Sequence, residues 1–265
     1  MRCHGRLVCI LNLAFCITAA ACSPRRVALP TDTGSPFPDF AAVHAQVSAS
    51  CRDLRTFTVE LSLRGRVGGQ RLSGRAIAGF QRPASMRLEG LAPLGQPAFI
   101  LAAQGGTGVL LLPRDGRVLR DQSPQAILEA LIGVNLAPGD LQAILSGCVA
   151  PDPIATGGRL HANGWASIDL QGGARLYLRR TSQWEIRAAR RDGWQIEYTS
   201  GQSRFPESVH LVADSQKIQV DLSAGLSQLE ANVDLRPDAF RVDVPSDVRP
   251  LTLDELRESG PLRAR

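Results

Sequence analysis

Three cysteine thiols are the side chains best placed to do chemistry in this sequence once its leader is removed. The chain has 265 residues and six cysteines. It opens on a short basic stretch (Met1, Arg2, His4, Arg6). An apolar run from Leu7 to Thr18, broken only by Asn12, leads into Ala19-Ala20-Ala21. About 7–15 apolar residues ahead of small residues make a cleavable secretory segment, too short to span a bilayer. Cleavage after Ala21 takes Cys3, Cys9 and Cys16 away and leaves Cys22 at the new N-terminus, with Cys51 and Cys148 further on. A thiolate is a good nucleophile, so a terminal cysteine is a ready acceptor for a covalent group.

Residues 1–21 resemble a bacterial lipoprotein signal, with Ala19 where leucine is usual. The resemblance implies that Cys22 is acylated and anchors the mature chain; the plainer alternative is ordinary secretion with Cys22 a bystander. Ser23 follows, not the aspartate that retains many Gram-negative lipoproteins at the inner membrane, so the expected address is the outer membrane. Cys51 and Cys148 form an even pair in an oxidising compartment, which favours a disulfide. Such a bond closes a long loop and is worth about 4–5 kcal/mol in the chain-entropy model. Two buried free thiols are the alternative.

Other chemistry is not written here. The mature histidines His44, His161 and His210 fall on unrelated segments with no partner at ligand spacing, so no metal site is expected. No H-E-x-x-H, C-x-x-C or G-x-S-x-G occurs. Gly105-Gly106-Thr107-Gly108 leads into a strand and reads as a turn, not a phosphate cradle. Acidic residues lie on the polar side of strands. Nothing argues for catalysis or a cofactor. The formal net charge of +5 loses Arg2 and Arg6 with the leader, which leaves +3, and the arginines are dispersed, which argues against nucleic acid.

The elements that must position these residues are mostly strands. Residues 22–38, with Pro30, Gly34, Pro36 and Pro38, read as a flexible tether. Phe40, Val43, Val47 and Leu54 recur at helical spacing. Phe57, Val59, Leu61 and Leu63 then alternate with polar residues, and the alternation continues beyond a Gly68-Gly69 turn through Leu72, Ala76, Ala78 and Phe80. Met86–Gly90, Pro97–Ala103, Val109–Leu112 and Val118-Leu119 extend the meander. Ser123-Pro124 starts a helix ending at Gly133, and Pro138 starts a second ending at Gly147. Residues 149–173 read as loop with a short strand at Trp165–Leu170. Alternation returns from Leu176 to Leu222, and residues 228–244 add two strand-like segments. The expected fold is mainly β, with about eleven antiparallel strands split by a helical pair. The expected layout is a leader over 1–21, a tether over 22–38, one domain over 39–248 and a tail over 249–265.

One ordered set of motifs is more specific. Arg87-Leu88-Glu89-Gly90-Leu91-Ala92-Pro93-Leu94-Gly95 is followed by the two helices, the second ending Leu145-Ser146-Gly147. Later come Asp192-Gly193-Trp194-Gln195-Ile196-Glu197-Tyr198, Phe205-Pro206-Glu207-Ser208-Val209 and the strand Lys217–Leu222. In this order, over about residues 37–222, they resemble the LolB family of outer-membrane lipoproteins that receive other lipoproteins. The ending Phe240-Arg241-Val242-Asp243-Val244-Pro245 is more similar to LolA, the soluble carrier.

The resemblance implies an incomplete β-barrel whose helices cover an apolar cavity. It further implies a monomer that accepts acyl chains of lipoproteins from a LolA-like periplasmic carrier, without cofactor or nucleic acid. The candidate acyl-cavity residues are Phe57, Val59, Leu61, Phe80, Leu88, Phe99 and Leu101 on strands, with Ile127, Leu131 and Ile144 on the covering helices. These same residues serve equally as a solid core. The turn Pro93, Leu94 and Gly95 matches the family's membrane-insertion loop, although such a corner also buries a leucine as a plug. Two other readings stay open: a lipoprotein of this fold that binds free lipid or glycolipid, and a structural envelope lipoprotein with a filled core.

Overall fold

Apolar–polar alternation from Thr56 onward puts every second side chain on one face, and the strands it forms join into a single curved sheet. The computed structural model describes residues 26–92, 97–150, 152–201, 203–214 and 219–259. Cys22 and the turn Pro93, Leu94, Gly95 lie outside the described residues. In chain order the elements are β1 (Ser35–Pro36), α1 (Phe40–Val47), α2 (Ala49–Arg52), β2 (Thr56–Val67), β3 (Gln70–Gln81), β4 (Ser85–Leu91), β5 (Phe99–Gln104), β6 (Thr107–Leu112) and β7 (Arg117–Gln122). The helices α3 (Pro124–Ile132) and α4 (Pro138–Leu145) follow. After them come β8 (Ala155–Leu160), β9 (Trp165–Leu170), β10 (Arg175–Arg180), β11 (Trp184–Arg191), β12 (Trp194–Ser200), β13 (Pro206–Asp214), β14 (Gln219–Ala231), β15 (Arg249–Pro250) and α5 (Leu253–Ser259).

Among the described residues the sheet has fifteen strands in the order β1-β8-β9-β10-β11-β12-β13-β14-β2-β3-β4-β5-β6-β7-β15. All pairs are antiparallel except β15 with β7. The long strands β14 and β2 join the two halves, from Val220 opposite Val67 to Ala231 opposite Phe57. β1 and β15 remain at opposite edges, so the barrel is open. Phe57, Val59, Leu61 and Leu63 of β2 face a core shared with Leu72, Ala76, Ala78 and Phe80 of β3. The β2–β3 hairpin needs Gly68 and Gly69, whose φ values of 56° and 80° suit a two-residue turn.

Helices α3 and α4 lie over this face. Ser123 caps α3, its hydroxyl accepting from the Ala126 N–H at 3.2 Å, Pro124 occupies the first turn and Gly133 ends the helix in the left-handed region. Ile127, Leu128 and Leu131 of α3 and Ile144 of α4 are fully buried. The Arg191 guanidinium fastens α4 to β11, reaching Asp140 at 2.7 Å and the Val149 carbonyl at 3.0 Å.

Four expectations need correction in detail. The strand count rises above eleven because β1, β8 and β15, at or next to the sheet edges, are short and mostly exposed, without alternation. The segment from Leu229 continues β14 past a bulge at Ser227–Glu230, while Pro237–Phe240 turns as a 3-10 helix where a strand was expected. Residues 26–38 are not a free leash in this structure. The Val27 N–H donates to Glu197 at 3.1 Å, Asp32 accepts from the Ala162 N–H at 3.3 Å and meets His161 at 2.8 Å, and Phe37 is buried. The C-terminal tail also docks: α5 buries Leu256 against α3. Its first turn is a capping box, in which Thr252 and Glu255 bond reciprocally at 2.8 and 3.2 Å.

Candidate functional site

The ten residues expected to face an acyl chain are brought into one core, seven on the sheet and three on the helices that cover it. Each is at most 4 % exposed. Phe57, Val59, Leu61, Phe80, Leu88, Phe99 and Leu101 fill that core together with Ile127, Leu131 and Ile144. Lining a ligand with them requires α3 and α4 to lift from the sheet.

The open space lies beside that core. A pocket of about 510 Å³ is bounded by the ends of α1 and α2 (Val47, Ala49, Ser50), the turn after α4 (Ser146, Gly147), β11 (Trp184, Glu185, Ile186), β12 (Tyr198, Ser200) and the segment 203–206. Its size falls within the ~300–1,000 Å³ usual for small-molecule sites. Its wall is mixed, with Val47, Trp184, Ile186 and Phe205 beside Gln46, Gln183, Glu185 and Arg204. Phe205 links it to the core: its ring centroid is 5.8 Å from that of Phe57, which is 6.2 Å from Phe80. Phe37 of the docked N-terminal arm supports Trp184 from outside, at 5.5 Å. The pocket is therefore a mouth whose wall residue Phe205 also belongs to the core between sheet and helices.

The mouth is braced covalently. Cys51 and Cys148 are bonded in the structure, with Cα atoms 5.7 Å apart. Ala49 and Ser50, just before Cys51, form one lip, and Ser146 and Gly147, just before Cys148, form the other. The bond thus ties the two lips to each other. Arg82 adds a further tie, donating to the Cys51 carbonyl at 3.2 Å.

Polar groups at the mouth are mostly paired. Ser200 Oγ donates to Glu185 at 3.1 Å and accepts from Arg187 at 3.0 Å, and Ser146 Oγ donates to the Ala143 carbonyl at 3.1 Å. The Tyr198 hydroxyl differs: it is buried, with no partner among the described residues. Burial pushes its pKa far up, so it remains a neutral donor. Sequence reasoning noted Tyr198 only within a motif; its isolation is a tertiary property.

The other titratable residues do not converge. His161 bonds Asp32 and Ser167, each at 2.8 Å, while His210 bonds Asp221 at 2.8 Å and Glu197 at 3.3 Å. His44 is buried, and that burial lowers its pKa. Among the described residues there is no cluster of three or more metal-ligating side chains, and no helix long and apolar enough to cross a membrane.

Comparison with known proteins fixes the lineage. The family model of the outer membrane lipoprotein LolB matches residues 58–224, well over half of the chain. The chain belongs to the LolB family. The matched span runs from β2 to β14, the two strands that join the halves of the sheet. Among solved structures, a LolA superfamily protein from Nitrosomonas europaea is similar at 12 % identity, with a TM-score of 0.51 over 76 % of this chain and 97 % of that one. A DUF1329 family protein from Desulfovibrio piger has 11 % identity and a TM-score of 0.50 over 78 % and 98 %. At such identities the likeness is one of fold. No curated protein matches the chain. LolB-family membership and the open sheet agree with the motif order, and they tie the chain to outer-membrane lipoproteins as a family.

Proposed function

We propose that the chain is a lipid-anchored outer-membrane receptor facing the periplasm. It accepts lipoproteins from a LolA-like carrier by binding their acyl chains, and it passes them into the outer membrane. The observation that carries this reading is a pocket whose wall includes Val47, Trp184, Ile186 and Phe205, with Phe205 also packed into the core that two short helices cover. Each acyl methylene removed from water is worth about 0.8 kcal/mol, so a long chain resists crossing the periplasm by on the order of 10 kcal/mol. A covered apolar layer removes that penalty without an energy source, and no covalent bond need change. Chains entering past Trp184 and Phe205 would lift α3 and α4 and meet the ten apolar candidates, seven on the sheet and three on the helices. Cys22 is the proposed lipid anchor and Leu94 the proposed membrane-touching side chain.

The test is depletion of the protein followed by separation of inner and outer membranes. The reading expects other lipoproteins to accumulate away from the outer membrane. An unchanged distribution would overturn it, and a change confined to free lipids would assign the chain to lipid carriage.

A further inference from the structure

Tyr198 is 95 % buried at the base of the mouth, and its hydroxyl has no partner among the described residues. A buried hydroxyl left unsatisfied costs roughly 1–3 kcal/mol, so such groups are rare unless they serve something else. The nearby polar side chains are not free to answer it. Ser200 is held by Glu185 and Arg187, and Ser203 Oγ is engaged with the backbone of Phe205 at 3.0 and 3.2 Å. The surrounding wall offers Val47, Trp184, Ile186 and Phe205 to hydrocarbon, and Gln46, Gln183, Glu185 and Arg204 to polar groups. A ligand that fits is therefore part hydrocarbon and part polar, with an acceptor for the Tyr198 hydroxyl.

We propose that Tyr198 donates a hydrogen bond to the ester carbonyl at the junction between acyl chain and glycerol, so that the mouth reads the linkage of the cargo as well as its length. This rests on the acyl-binding reading above. The hydroxyl marks the depth at which hydrocarbon ends. Everything beyond it toward Phe57 accepts only methylenes, and everything outward toward Gln46 and Gln183 accepts the polar remainder.

The test uses the full chain in detergent, with Trp184 fluorescence as the readout. Two probe pairs are compared: a dipalmitoylglyceryl-cysteine peptide against its dialkyl-ether counterpart, and a dipalmitoyl phospholipid against its ether counterpart. The wild-type protein is expected to prefer the ester peptide by roughly tenfold, the worth of one buried neutral hydrogen bond. Tyr198→Phe should abolish that preference and leave ether binding unchanged. Its melting temperature should stay level or rise, because an unsatisfied group has been removed. Equal wild-type affinity for ester and ether peptides would overturn the role of Tyr198 while leaving acyl binding intact. So would equal loss of both probes with a lower melting temperature, which marks a packing residue. Failure of the wild type to bind either peptide would overturn the acyl-binding reading itself. A Tyr198-dependent preference seen only with the phospholipid pair would reassign the carbonyl to free lipid.

Discussion

The Cys51–Cys148 bond is expected to be both the strongest single constraint on the domain and the brace of its mouth. Replacing both residues by alanine removes a crosslink between positions 97 residues apart. In the chain-entropy model a loop of that length is worth about 4.7 kcal/mol. Both residues are buried, in a small cluster with Ala143 apart from the main core, so alanines at these positions disturb few other contacts. Urea unfolding of the full chain should therefore show a loss approaching that figure, seen as a lower midpoint. Hydrogen exchange should localise the native-state effect. Residues 40–52 and 138–150 should lose protection, because the bond joins α2 to the end of α4, while β3 and β4 should hold theirs. A loss below about 1 kcal/mol, or a loss of protection centred on the sheet, would refute the assignment of the bond to the lips of the mouth.

Further outcomes can be checked separately. Cys22→Ala should yield a chain that is soluble or uncleaved; a cleaved product that still partitions into detergent would contradict lipid attachment. Leu94→Glu should leave stability within about ±0.5 kcal/mol and cargo binding intact while impairing transfer to liposomes; equal loss of binding and transfer would make Leu94 a core residue. Gly90→Ala should destabilise by roughly 1–3 kcal/mol, because its Cβ would overlap the Phe99 ring, which is fully buried; thermal melting reads the effect. Arg117 and Thr252 hold the Glu255 carboxyl at about 2, below its ordinary 4.5. The docking it gives α5 should thus be complete above about pH 4.5 and lost as pH falls through about 2. Amide exchange in α5 should accelerate over that window, and Glu255→Gln should remove the pH dependence.

Much of the fold was legible because one face of each long strand is buried. Phe57 to Leu63 alternate, and their alternation is the barrel's inner surface. Helix α3 was equally plain, since Ser123, Pro124 and Gly133 each do at the helix ends what their chemistry favours. What stayed hidden is held by contacts remote in sequence. The arm over residues 26–38 has the proline content of a leash, yet Glu197 on β12 and His161 in the β8–β9 turn capture it from more than a hundred residues away. Strand β8 has no alternation, and only the two-residue β1 covers it on its outer side. There Gly158 lies tight against Phe40 and Phe37, so a side chain would collide. The apolar candidates were found as a set, but sequence could not tell whether they enclose space. They share one core, and the pocket lies beside them, along Trp184, read as an ordinary strand position, and Phe205, noted only within a motif.

The most direct test follows a lipoprotein between carrier and membrane. A radiolabelled lipoprotein bound to a LolA-like periplasmic carrier is mixed with liposomes that hold the full chain, or with liposomes that lack it. The account predicts that label appears in the membrane only when the chain is present. Transfer at the same rate into protein-free liposomes would contradict it. So would label that stays on the carrier while the chain extracts phospholipid.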